Sequence, residues 1–194
     1  MGITLRLSTI DIVCFSKWIA VPLVLAMVSG CMFGQKRSAV PNDPVLPYKV
    51  DGASDPHRVL LRNKIENQGG KIISIGQNYM ISIPSKAIFR NESPRIDWSS
   101  YGLLNDVACY LKQFRKISVT VDSYIAKCVS PERDKALTLA RSRAVADYLW
   151  SQDIESRFMF THGLGHDKPI VAYGKLGDQS PNSRVEITFR DVVA

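Results

Sequence analysis

The chain has 194 residues and carries 25 Lys plus Arg against 18 Asp plus Glu, a formal net charge of +7. That length allows one folded domain with terminal extensions. The basic residues are dispersed, with no lysine-rich run and no aromatic-interleaved basic stretch, which argues against a nucleic-acid partner. What remains is a mild bias toward anionic partners, such as a polymer bearing free carboxylates.

The first thirty residues do not read as fold. Arg6 and Lys17 precede an apolar run over residues 18–28, followed by Val28-Ser29-Gly30-Cys31. A helix that spans a bilayer needs about twenty apolar residues, so the run suits the core of a signal peptide. Small residues directly before Cys31 resemble the lipobox of bacterial lipoproteins, which implies cleavage after residue 30 and lipidation of Cys31. An ordinary signal peptide with an incidental cysteine, or a short signal anchor, are the alternatives. Acyl chains on Cys31 hold a protein on a membrane without spanning it. Met32 follows Cys31, in place of the aspartate that marks inner-membrane retention in bacterial lipoproteins. The resemblance therefore implies an outer-membrane anchor facing the periplasm. Loss of Arg6, Lys17 and Asp11 with the signal takes 25 basic and 18 acidic residues to 23 and 17, still basic by six.

Residues 31–55 contain Pro41, Pro44 and Pro47 among polar and small residues, and read as a flexible tether. Residues 56–68 place Val59, Leu60, Leu61 and Ile65 at roughly helical spacing before Gly69-Gly70, a short leading helix assigned to 56–70. Two alternating runs, 71–75 and 79–84, flank Gly76-Gln77-Asn78 and predict a hairpin with Ile81 and Ile83 inward and Ser82 outward. Residues 85–97 form a loop anchored by Phe89. Leu103, Leu104, Val107, Tyr110, Leu111 and Phe114 define a second amphipathic helix, capped by Ser99 or Ser100. Ile117, Val119 and Val121 then alternate with polar residues as a strand.

Residues 134–150 form a helix of about four turns, with Leu137, Ala144, Val145, Tyr148 and Leu149 on one stripe and Asp134 as its N-cap. Arg141 falls inside that stripe. A guanidinium there must snorkel out, pair internally, or project into a pocket that holds a carboxylate. Residues 158–161 read as a further strand, and residues 182–187 as the closing one. Cys14 lies in the signal. Cys109 on a helix and Cys128 in a loop leave a periplasmic disulfide open.

The run Asp134, Leu137, Thr138, Arg141, Ser142, Val145, Tyr148 and Leu149 resembles the signature helix of the OmpA-like domain, N-x-x-L-S-x-x-R-A-x-x-V-x-x-Y-L. Gly163, Gly165 and Pro169 resemble that family's G-x-G-x-x-x-P segment. Asn182-Ser183-Arg184-Val185-Glu186-Ile187 resembles its closing N-R-R-V-E-I strand, and Ile88-Phe89 the end of its first strand. The resemblance covers roughly residues 72–190. It implies an α/β (α+β sandwich) fold, a mixed sheet with helices on one face, over residues 71–194.

In that family the module holds cell-wall peptidoglycan noncovalently through the diaminopimelate of its stem peptide. An aspartate in a G-[HY]-T-D segment takes the amine, and the helix arginine fifteen residues later takes a carboxylate. The residue fifteen before Arg141 is Ala126, within Ser123-Tyr124-Ile125-Ala126. The tyrosine is present and the acid is absent, a loss that costs about two decades of affinity for a charge-assisted pair. The resemblance makes Arg141, Asp134, Tyr124 and Arg184 the ligand-binding candidates, with Asp134 and Asp122 the acids available to compensate. Arg184 is the weaker of these candidates, and on its strand the favoured reading is a solvated charge.

No catalytic signature is visible. His162 and His166 are four apart, but glycines separate them and no third ligand is near, so neither a metal nor another cofactor is expected. An envelope enzyme would need a constellation of acid, base or metal that the sequence lacks. The expectation is a non-catalytic outer-membrane lipoprotein that scaffolds or anchors an envelope assembly. Residues 93–105, SPRIDWSSYGLLN, resemble a segment of small lipoproteins in type IVB secretion apparatus, which implies other core proteins of such a system as partners. The alternative is a general peptidoglycan-associated lipoprotein that ties the outer membrane to the wall.

Overall fold

The computed structural model describes residues 53–126, 130–154, 156–172 and 177–192. All belong to one compact unit, Leu46–Ala194. The signal, Cys31 and nearly all of the tether lie outside the described residues, as does Cys128; Cys109 is exposed. No helix among the described residues is long and apolar enough to cross a membrane.

Helix α1, Asp55–Asn67, starts at Ser54, whose hydroxyl accepts from the backbone N–H of His57, with a proline in the first turn. It stops at Gly69, whose φ of +91° suits a residue without Cβ. Leu61 and Ile65 are its buried residues. The hairpin follows as β1, Lys71–Ile75, and β2, Asn78–Pro84, with Ile72 opposite Ile81. Ile81 and Ile83 are fully buried, as their alternation predicts.

Helix α2, Tyr101–Lys112, differs from expectation at its start. The Ser100 hydroxyl donates to the carbonyls of Ile88 and Asp97, so it caps nothing. The Asp97 carboxylate instead accepts from the Trp98 N–H and opens a single 3-10 turn, Trp98–Ser100, that leads into the helix. Strand β3, Ser118–Tyr124, buries Val119 and Val121 but leaves Ile117 outside it and exposed.

Helix α3, Pro131–Ser151, begins three residues earlier than the sequence spacing suggests. Ser130 is the N-cap, its hydroxyl accepting from the N–H of Arg133, and Pro131 sits in the first turn where its missing N–H costs nothing. Asp134 is therefore within the first turn of the helix and is not its cap. Strands β4, Phe158–Gly163, and β5, Arg184–Arg190, complete a five-stranded sheet in the order β1-β2-β5-β3-β4. Only β3 and β4 are parallel, joined through α3. Inward residues of β2, β3 and β5 meet α1, α2 and α3 in one core, while Phe158 and Phe160 of β4 stay exposed on the other side.

Gly163 marks where β4 crosses α3. A Cβ there would stand 2.3 Å from the backbone nitrogen of Leu139, which no real contact permits. Two residues on, Gly165 takes φ +56° in the turn after the strand. The two glycines of the G-x-G segment thus serve close approach and chain reversal.

Candidate functional site

The buried face of α3 is polar along its first half: Asp134, Thr138, Arg141 and Ser142 are inside, followed by Val145, Ala146 and Leu149. Arg141 has a relative exposure of 0%. Of the three outcomes open from sequence, the structure selects internal pairing. Nη1 and Nη2 of Arg141 donate to the two carboxylate oxygens of Asp178 at 2.6 and 2.7 Å, a bidentate fork. Nε donates to the carbonyl of Ser93 at 3.0 Å, and the Phe89 ring lies with its centre 4.9 Å from the guanidinium carbon. Asp178, itself 3% exposed, accepts a further bond from the N–H of Glu92.

Asp178 sits on a one-turn 3-10 segment, Gly177–Gln179, between the G-x-G turn and β5. Ser183 ties that segment to the position where an acid is expected from the family pattern. Its hydroxyl donates to the carbonyl of Gly177 at 2.7 Å and accepts from the N–H of Ala126 at 2.9 Å. Ala126 is buried. Where that pattern has an arginine, the small Ser183 therefore links the Ala126 end of β3 to the turn that carries the carboxylate.

Tyr124 and Arg184 face each other across β3 and β5. The Arg184 guanidinium lies over the Tyr124 ring at 4.0 Å. It is buried, not a solvated strand charge: Nε donates to Glu186 at 2.6 Å, and the Nη groups donate to the carbonyls of Asn182 and Lys168. Burial, then the nearby carboxylates of Glu186 and Asp122, push the Tyr124 hydroxyl up to about 12, against the opposing pull of Arg184.

Asp134 is buried and lies 3.4 Å from Nδ1 of His166, within ion-pair distance but without hydrogen-bond geometry. Thr138 connects the two segments, donating to the Asp134 carbonyl and accepting from the N–H of Gly165. Asp122 is engaged elsewhere, 2.8 Å from Nδ1 of His162 on the exposed side of the sheet. No group of three or more metal-ligating side chains occurs among the described residues.

The four candidates thus fall into three clusters: Arg141 with Asp178, Tyr124 with Arg184, and Asp134 with His166. Asp178 is the residue that sequence reasoning missed. The signal was available, since a guanidinium on an apolar stripe requires an anion, but nothing in the spacing selects Asp178 over other acids. Chemically the Arg141 cluster is a carboxylate receptor whose carboxylate comes from the same chain.

Residues 88–183 match the OmpA family. "Probable lipoprotein YiaD" of Escherichia coli (strain K12) is 28% identical over 135 residues, which are 70% of this chain and 62% of that protein. "Peptidoglycan-binding protein ArfA" of Mycobacterium tuberculosis (strain ATCC 25618 / H37Rv) is 31% identical over 99 residues, 51% of this chain and 30% of that protein. The match therefore spans less than two thirds of either relative. Among solved structures, the cell wall anchor of the T6SS from Pseudomonas aeruginosa superposes with a TM-score of 0.58 at 22% identity, covering 69% of this chain and 96% of that one. At that identity the likeness speaks for the fold alone.

Proposed function

We propose that this chain, whose residues 88–183 form an OmpA-like domain, is a non-catalytic, lipid-anchored envelope protein whose domain works by docking on other proteins. Relatives described as a lipoprotein and as a peptidoglycan-binding protein support the envelope setting. Cys31 supplies the anchor and the outer membrane, facing the periplasm, the location. The observation that carries the docking reading is the Arg141–Asp178 fork: the guanidinium that would receive a stem-peptide carboxylate already holds one, and Ala126 offers no partner for the amine.

The segment 93–105 supports a place in a type IVB secretion core, because it resembles the lipoprotein DotK (also called IcmN) of the Dot/Icm apparatus. In the fold this segment provides Ser93, whose carbonyl accepts from Arg141, and then presents Trp98 to solvent at 77% exposure with Tyr101 close behind. Exposed aromatics of this kind are typical anchors of protein interfaces.

A second reading, a peptidoglycan-associated tether between outer membrane and wall, is favoured by the relatives named for peptidoglycan. Co-sedimentation of the full chain with purified sacculi separates the two. The docking reading expects wild type to stay in the supernatant and Asp178→Ala combined with Ala126→Asp to gain binding. Retention of wild type, abolished by Arg141→Ala, would install the tether instead. Trp98→Ala is expected to reduce recovery of core proteins without changing stability by more than about 0.5 kcal/mol.

A further inference from the structure

Away from the Arg141 cluster, a cleft opens between α1, α2 and the β1–β2 hairpin, with Arg58, Arg62, Ser74, Tyr79, Tyr110 and Phe114 in its walls. Arg58 and Arg62 are one turn apart on α1, and each spends one Nη group on a backbone carbonyl: Arg58 on Gln113 at 2.7 Å, Arg62 on Ile72 at 2.8 Å. These bonds and the Phe114 ring, 4.4 Å from the Arg58 guanidinium carbon, hold Arg58 in place. Its Nε is buried and has no hydrogen-bond partner among the described residues.

Tyr110, only 3% exposed as a residue, lines the same cleft. Burial raises the pKa of its hydroxyl against the opposing pull of Arg62 and Arg58, which line the cleft with it. A buried guanidinium N–H without a partner carries a desolvation cost, which a bound acceptor would relieve. Tyr79 and Ser74 add hydroxyls from the hairpin side. The set is rich in donors arriving from several directions, which suits a tetrahedral oxyanion better than a planar carboxylate. Two acids are present: Asp55 lies 3.8 Å from Arg58 and Glu66 3.2 Å from Arg62, both substantially exposed and therefore weak competitors.

We propose that this cleft binds a phosphate group, gripped by Arg58 and Tyr110 and completed by Tyr79 and Ser74. The phosphate is either free or the headgroup of an anionic phospholipid. Arg58, Ser74 and Tyr79 lie before the residues that match the OmpA family, Tyr110 and Phe114 lie within them, and the cleft is separate from the Arg141 cluster.

Titration calorimetry on the full chain in neutral detergent tests this, first with inorganic phosphate and then with soluble dihexanoyl phosphatidylglycerol. Saturable phosphate binding is expected, weakened about tenfold or more by Arg58→Gln, as loss of a charged donor predicts. Tyr110→Phe, which keeps the ring and the packing, is expected to weaken binding severalfold with an unchanged melting temperature. Asp55→Asn is expected to tighten it. Tighter binding of the lipid than of phosphate assigns the headgroup as source; equal or weaker binding assigns free phosphate. Absence of saturable heat from both ligands overturns the proposal. So does binding that is the same in wild type and in folded Arg58→Gln and Tyr110→Phe.

Discussion

Asp178→Ala is the most informative single change in this protein. It removes two charge-assisted bonds, of 2.6 and 2.7 Å, from a guanidinium with no solvent exposure. Arg141 would keep only the Ser93 carbonyl and the face of Phe89, and the Glu92 N–H would lose its acceptor as well. Leaving one member of a buried pair without its partner typically costs about 3–5 kcal/mol. Against a domain stability of roughly 5–15 kcal/mol, that is a large fraction. Urea denaturation followed by far-ultraviolet circular dichroism measures it directly. Two further arms identify the cause. Arg141→Met with Asp178→Leu removes both charges, and should recover most of the loss, since apolar replacement of a buried pair is often neutral or stabilising. Sodium acetate should raise the midpoint of Asp178→Ala but not of wild type, because only the variant has a vacant carboxylate receptor. A loss below about 1 kcal/mol for Asp178→Ala, or a double variant no better than the single, would refute the assignment of Arg141 as internally satisfied.

Gly163→Ala should destabilise by about 1–3 kcal/mol or more in the same assay, since its Cβ would collide with the α3 backbone and force β4 away from Leu139. Ser130→Ala should cost about 1 kcal/mol by removing the α3 cap, whereas Ser100→Ala acts through its bonds to Ile88 and Asp97 and not through capping. For Tyr124 the folded pKa of about 12 lies above the ordinary tyrosine value. The native state therefore keeps a proton that the unfolded chain releases from about pH 10 upward, so this group's contribution is intact below pH 10 and is lost as pH rises toward 12. Tyr124→Phe should flatten the decline in stability over that window relative to wild type, and an unchanged slope would remove Tyr124 as its source.

Much of the fold was legible because its signals are local. Alternation fixed the inward phase of Ile81 and Ile83, and a helical stripe located α2 and α3 within a few residues. Helix starts were read less well, because a hydroxyl has several backbone groups in reach. Ser100 donates backward while Asp97 opens the preceding turn, and Ser130-Pro131 starts α3 ahead of the apolar stripe on which the sequence reading relied. Arg184 looked solvated because strand alternation says which face a side chain takes, not whether neighbouring residues cover it; Tyr124 on β3 and the carbonyls of Asn182 and Lys168 do so. The Arg141 partner was beyond reach for a related reason. Asp178 is 37 residues away, on a loop whose glycines and proline indicate a turn but not where that turn returns to the core.

The same pairing changes what the signature helix means in this chain. An intramolecular carboxylate competes with a free one at an effective concentration set by the chain, commonly millimolar or higher, and it does so without losing translational freedom. To reach Arg141 by the family's route, a stem-peptide carboxylate would have to displace Asp178 and strip the Glu92 N–H of its acceptor. It then meets Ala126 where the amine requires an anion. On the docking reading the resemblance along α3 belongs to the architecture, because removing Arg141 would strand Asp178 in the core just as removing Asp178 strands Arg141. On that same reading, proposed above, recognition of a zwitterion would need a second charge, which Ala126 does not supply, and a vacant guanidinium, which Asp178 occupies.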